Sequence, residues 1–157
     1  MGMQPIVGYN FGAQKIDRVK QTLKLGIVSG VVITSSGFFI CELFPHAVSA
    51  IFTDSDHLID LAVDGLRITV IMFPFVGAQI VIGNFFQSIG KAKISIFLSL
   101  TRQLLYLLPC LLLFPNWWGL KGIWISMPVS DALAFITAVI SLIIYIKKVS
   151  KQHLIAE

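Results

Sequence analysis

The stretch "FFQSIGKAKISIFLSLTRQLLYLLPCLLLFP", residues 85–115, decides the fold. It begins at the end of one apolar run, passes through a short turn with Lys91 and Lys93, and is then apolar over residues 94–114. A helix needs roughly 20 predominantly apolar residues to cross the hydrocarbon core of a bilayer. The stretch therefore predicts two membrane-spanning helices joined by a tight basic turn.

The composition of the whole chain agrees with a membrane environment. Of its 157 residues, 56% are hydrophobic and 13% are charged, whereas a soluble domain carries about 25% charged residues. We expect an all-α membrane protein whose main partner is the lipid bilayer. The predicted spans are 22–44, 66–89, 94–114 and 120–146, with 1–13 as the end of a preceding helix and 147–157 as a tail.

The basic residues of the loops predict the orientation. If the four spans alternate in direction, one side of the membrane receives Lys15, Arg18, Lys20, Lys24, Lys91, Lys93, Lys147, Lys148 and Lys151. The other side receives Arg67 and Lys121 together with several aspartates. Loops rich in Lys and Arg stay in the cytoplasm, so we expect a multi-pass protein with a cytoplasmic C-terminus.

Two ionisable residues lie inside predicted spans, Arg102 in the third and Asp131 in the fourth. Counted from the span ends at 1.5 Å per residue, both lie roughly 12–15 Å deep. Because the two spans are antiparallel neighbours, an Arg102–Asp131 pair is geometrically possible. Ionisable residues inside a membrane are often functional, so Asp131 is either half of a structural ion pair or a proton or cation site.

Uncharged polar residues mark the second span. Gln79, Gly83 and Gln87 recur every four residues and share one helix face, with Asn84 beside them. Such amides either line a water-filled path or form hydrogen bonds between packed helices.

Glycines and prolines predict how the helices pack and bend. Gly26 and Gly30 form a small-residue face suited to close helix packing. Pro74, Pro109 and Pro128 lie within spans, where each removes a backbone hydrogen bond and tends to kink its helix.

The sequence argues against other functional classes. It contains no phosphate-binding Walker loop, no HExxH motif and no metal-spaced Cys/His cluster, so we expect no enzyme, no metal and no cofactor. The basic residues are distributed among loops, which argues against a nucleic-acid partner.

Four segments together resemble the MATE (multidrug and toxic compound extrusion) family, nearest to its MepA-like and DinF-like bacterial branch. "GMQPIVGYNFGAQKIDRVKQ" (2–21) is similar to the end of helix 8 and the start of helix 9, and "IFTDSDHLIDLAVDGLRI" (51–68) to the stretch before helix 10. Residues 85–115 resemble helices 10 to 11. "GLKGIWISMPVSDALAFI" (119–136) resembles helix 12, with Pro128 and Asp131 at the family's P-x-x-D positions.

The resemblance implies a fold and a function. The family fold has twelve helices in two six-helix lobes, and this chain would supply helix 9 (22–44), helix 10 (66–89), helix 11 (94–114) and helix 12 (120–146) of the second lobe. A full-length member of the bacterial inner membrane would exchange drug-like organic cations for H⁺ or Na⁺ by alternating access. Candidates for the substrate or ion pathway are Gln4, Tyr9, Asn10, Gln79, Asn84, Gln87 and Asp131.

The resemblance covers one part of such a transporter. The N-lobe, helix 7 and most of helix 8 have no counterpart in these 157 residues, so we expect a truncated chain that is inactive without the N-lobe as partner. Two alternatives stay open. One is a fragment of a related lipid or polysaccharide flippase, and the other is a small free-standing membrane subunit.

Overall fold

The fold comes from a computed structural model that describes residues 2–154, with side chains described as far as Val149. The described residues form α1 (Met3–Gly12), α2 (Ile16–Leu43), α3 (Pro45–Ala50), α4 (Asp56–Thr69), α5 (Phe73–Ser88), α6 (Ala92–Leu100), α7 (Leu108–Trp118) and α8 (Leu120–Leu154). A 3₁₀ turn (Val70–Met72) joins α4 to α5, and a π-helical segment (Thr101–Leu107) joins α6 to α7.

Four helical stretches in the described part of the chain are long and apolar enough to cross a membrane, which confirms the predicted all-α membrane fold. They are Ile16–Leu43, Asp56–Ser88, Ala92–Trp118 and Leu120–Val149. Large apolar side chains are widely exposed along them, for example Ile33 and Ile144, as expected for helices surrounded by lipid.

The helices extend beyond the predicted spans. The second stretch begins at Asp56 and not near residue 66, because α4 continues through the 3₁₀ turn into α5. The predicted tail 147–157 is helical as far as Leu154. Its last three residues, and Met1 of the predicted segment 1–13, lie outside the described residues.

Helices α2 and α5 cross at two glycines. A Cβ added to Gly77 would collide with the carbonyl oxygen of Gly30 and would lie 2.5 Å from Oγ1 of Thr34. A Cβ on Gly26 would lie 2.8 Å from Sδ of Met3 and 3.2 Å from a methyl group of Val81. The close-packing role predicted for Gly26 and Gly30 is confirmed, because their missing side chains let the backbones approach.

An apolar core holds α1, α5 and α8 together at the end of the bundle that carries Lys15, Lys91 and Lys148, called the basic end below. Val7 and Phe86 are fully buried there. The ring of Tyr145 packs edge-on against Phe86, with centroids 5.5 Å apart. This core places the short helix α1 beside the end of α5.

The three prolines act differently. Pro74 lies in the first turn of α5, directly after the 3₁₀ turn, and Pro109 lies in the first turn of α7, directly after the π-helical segment. Pro128 lies within α8, which continues as helix on both sides of it. Pro109 cannot donate a hydrogen bond to the preceding turn, so a departure from α-helix before it has a local cause.

Candidate functional site

The π-helical segment presents an arginine to a buried aspartate. Nε of Arg102 donates a hydrogen bond to Oδ1 of Asp131 over 2.7 Å, and the two side chains form an ion pair. The side chain of Asp131 is 8% exposed, while that of Arg102 is 37% exposed. A carboxylate this deeply buried needs a partner of opposite charge, and Arg102 supplies it from the neighbouring span.

A second contact joins the same two spans. The hydroxyl of Thr137 donates to the carbonyl oxygen of Leu133 over 2.9 Å, which leaves its oxygen free to accept from the hydroxyl of Tyr106, 2.8 Å away. Sequence reasoning missed Tyr106. The signal was its position four residues after Arg102, opposite a helix with a stripe of Ser and Thr side chains. The π-helical segment therefore forms two side-chain hydrogen bonds with α8, one from Arg102 and one from Tyr106.

Two candidate amides are buried, and each has an oxygen without a partner among the described residues. Asn10 and Gln79 are each 8% exposed. Nδ2 of Asn10 donates to the carbonyl oxygen of Ile6 over 2.8 Å, but Oδ1 of Asn10 and Oε1 of Gln79 accept no hydrogen bond. Burying such an oxygen unpaired costs free energy, so each is a position where a donor from outside the described residues would stabilise the fold.

A third contact lies at the basic end. Nε2 of Gln4 donates to Oε1 of Gln87 over 3.3 Å, joining α1 to α5 across 83 positions of sequence. Gln87 is exposed, although it shares a helix with the buried Gln79. Asn84 is half-buried and its backbone oxygen accepts a hydrogen bond from Ser88. Tyr9 is 75% exposed.

Four of the predicted residues thus form two separate pairs. Arg102 and Asp131 meet between the third and fourth spans, whereas Gln4 and Gln87 meet between α1 and α5. Among the described residues, no hydrogen bond joins the ion pair to any of the candidate amides. The site therefore contains an ion pair that a proton or a cation could weaken, and a set of uncharged amide side chains.

Comparison with known proteins identifies curated relatives that are similar in sequence to this chain. Multidrug export protein MepA of Staphylococcus aureus (strain MSSA476) is 25% identical over 146 residues, which cover 92% of this chain and 31% of the relative. The chain spans about 30% of the length of the curated relatives it matches.

Two solved structures share the fold. They are described as inward-facing and outward-facing conformations of a multidrug resistance MATE family transporter of the MOP superfamily. The inward-facing one is 19% identical, with a TM-score of 0.88 over 95% of this chain and 35% of its own. The outward-facing one is 20% identical, with a TM-score of 0.88 over 95% of this chain and 34% of its own.

The family model MatE matches residues 1–112. This match includes α1 through α6, the π-helical segment with Arg102 and the start of α7. Since more than two thirds of the chain lies within this match, and since two solved structures share its fold, the chain belongs to the MatE family of multi-pass membrane transporters.

Proposed function

We propose that this chain forms part of a secondary transporter that exports cationic or amphipathic organic compounds in exchange for H⁺ or Na⁺. The observation that carries the proposal is the match to the MatE family over residues 1–112. A relative named as a multidrug export protein, aligned over 92% of the chain, supports the substrate class.

Transport would proceed by alternating access, in which one lobe rocks against the other. The chain matches an inward-facing and an outward-facing structure with the same TM-score, 0.88. A segment that moves as one body gives this result, because its internal fold is the same in both states. Transport would then require the counterpart of the remaining two thirds of a MepA-like protein, including its N-lobe.

We assign Asp131 the coupling role within this segment. Its carboxylate is buried, and its negative charge strengthens the hydrogen bond from Arg102. A proton or a Na⁺ ion arriving at Asp131 would neutralise that charge and weaken the pair. The third and fourth spans would then be joined there by the bond from Tyr106 to Thr137 alone among the contacts described above.

The proposed setting is a bacterial inner membrane with the basic end in the cytoplasm, as the distribution of Lys and Arg favours. The drug pathway would include Gln79 and Asn10, whose side-chain oxygens have no partner among the described residues and can accept hydrogen bonds from a cationic compound. Gln4, Tyr9, Asn84 and Gln87 would contribute from the same two helices, α1 and α5.

A chimaera tests the function. The segment of S. aureus MepA that matches this chain is replaced by the chain, and ethidium efflux is measured in a bacterium lacking its own efflux pumps. We expect efflux above that of cells with empty vector, and none from the chain expressed alone. A chimaera that reaches the membrane at the level of MepA but gives no efflux would contradict the proposal.

Asp131→Asn in the chimaera tests the coupling role, with Asp54→Asn as the matched control because Asp54 is exposed outside the apolar part of the bundle. We expect Asp131→Asn to reduce efflux at least tenfold and to flatten its dependence on pH or Na⁺. Unchanged efflux with unchanged ion dependence would make the pair purely structural.

A further inference from the structure

Two adjoining cavities open at the basic end of the bundle. The smaller has a volume of about 550 Å³ and lies against the segment between α1 and α2. The larger, of about 1120 Å³, lies between the turn that precedes α6 and the far end of α8, and is called the lysine cavity below. Neither includes Arg102 or Asp131, so both are separate from the ion pair.

The charges in the lysine cavity have one sign. Lys91 contributes from the turn before α6, and Lys148 contributes from the end of α8. Among the described side chains that line this cavity, none is acidic. The smaller cavity differs, because Asp17 lies there beside Lys15 and Arg18. Two ammonium groups that face one cavity, with no carboxylate among its described lining residues, attract an anion and repel a cationic drug.

The rest of the lysine cavity is largely apolar. Ile94 and Phe97 line it from α6, and Ile144 lines it from α8. Phe97 is 56% exposed and Ile144 is 62% exposed, so their apolar surface is available to a ligand. Phe97 lies six residues beyond Lys91, about 9 Å along the helix axis, and Ile144 lies four residues before Lys148, about 6 Å along it. On both helices the positive charge is therefore at the end of the span and the apolar surface runs inward from it.

We propose that the lysine cavity binds one anionic phospholipid. The phosphate lies between the ammonium groups of Lys91 and Lys148, and an acyl chain runs along Ile94, Phe97 and Ile144. Basic pockets between membrane helices recognise anionic headgroups in this way. A free phosphate ion would use the lysines but not the apolar walls, whereas a phospholipid uses both. The site does not depend on the transport function proposed above.

The test compares two double variants of the full chain. Lys91→Gln/Lys148→Gln removes both charges from the cavity, whereas Lys93→Gln/Lys147→Gln removes the same number of charges from the same two segments. Lys93 and Lys147 are exposed and do not line the cavity. Phosphatidylglycerol and phosphatidylcholine are titrated onto each purified protein in detergent, and bound lipid is counted by native mass spectrometry.

We expect the unaltered chain to prefer phosphatidylglycerol, and the cavity variant to bind it about 30-fold more weakly, since each lysine near a lipid phosphate contributes roughly a factor of five. The control variant should keep the preference. Equal losses in both variants would overturn the proposal, because they would indicate diffuse attraction to the whole basic end. Displacement of the lipid by an equal concentration of glycerophosphoglycerol, which has the headgroup and no acyl chains, would overturn it as well.

A second measurement guards against misfolding of the cavity variant. A phosphatidylglycerol with a photoreactive group on its acyl chain is cross-linked to the unaltered chain in cell membranes, and the adducts are mapped by peptide mass. We expect them on the peptides that contain Phe97 and Ile144. Adducts spread evenly over the exposed faces of all four membrane-spanning stretches would refute the site.

Discussion

Of the glycines in α2 and α5, Gly77 is the one whose substitution by Ala should move these two helices apart the most. The new Cβ would collide with the backbone oxygen of Gly30 and would lie 2.5 Å from Oγ1 of Thr34. Backbone cannot swing aside as a flexible side chain can, so the helices must move apart. Overpacking of this kind costs about 1–3 kcal/mol, and we expect a value near the upper limit.

The matched control is Gly83→Ala in the same helix, because a Cβ there would have no neighbour within 4 Å. Both substitutions gain the same helix propensity, about 0.8–1 kcal/mol. The difference between the two variants therefore isolates the packing cost. It predicts that Gly77→Ala is less stable than Gly83→Ala by about 3 kcal/mol.

The assay is unfolding of the purified chain in mixed micelles with increasing sodium dodecyl sulfate, followed by tryptophan fluorescence. Gly26→Ala should fall between the two variants, since its new Cβ meets the flexible end of Met3 at 2.8 Å. If the free energies of unfolding of Gly77→Ala and Gly83→Ala differ by less than about 0.5 kcal/mol, well under the expected packing cost, the glycine crossing does not hold the helices together.

Three further predictions concern the ion pair, its neighbouring hydrogen bond and the orientation. Asp131→Leu should lower the free energy of unfolding by about 3 kcal/mol, the lower end of the range for breaking a buried pair, because Arg102 is partly exposed. Asp131→Asn should lose less, since its amide oxygen can still accept from Nε, and equal losses in the same assay would contradict this. Tyr106→Phe and Thr137→Val should each cost about 0.5–1 kcal/mol with no added loss in the double variant, so additive losses would show that the 2.8 Å contact contributes nothing. Asp56→Cys should react with an impermeant maleimide from outside the cell in a chain without other cysteines, and reaction from the cytoplasmic side alone would reverse the orientation.

Much of the fold followed from apolar run length and small residues. The four membrane-spanning stretches were predictable because hydrocarbon thickness dictates helix length, and the packing of Gly26 and Gly30 followed from their spacing on one face. The burial of Gln79 and the exposure of Gln87 were not predictable. Their spacing places both on one face of α5, but the burial of each side chain depends on which other helices cover that turn of α5.

The packing of α1 against the end of α5 was equally hidden. The hydrogen bond from Gln4 to Gln87 joins residues 83 positions apart, and no periodicity within either helix encodes it. The π-helical segment was also missed, although Pro109 marked the place where regular helix is hardest to maintain. A proline indicates that one hydrogen bond is lost, but it does not determine how the preceding turn rearranges.

The π-helical segment makes the third span tolerant of a change in chain length. A π-helical turn closes its hydrogen bond one residue later than an α-helical turn. The segment Thr101–Leu107 therefore contains more residues per turn than the α-helix on either side of it. Deleting one residue there would let the segment convert to α-helix, while α6 and α7 keep their orientation about the helix axis. Deleting one residue from the middle of α8 would instead rotate all of the following side chains by about 100° about the helix axis. Because Arg102 lies inside the π-helical segment, this conversion to α-helix would rotate Arg102 away from Asp131. The lipid-facing surfaces of α6 and α7 would stay in place.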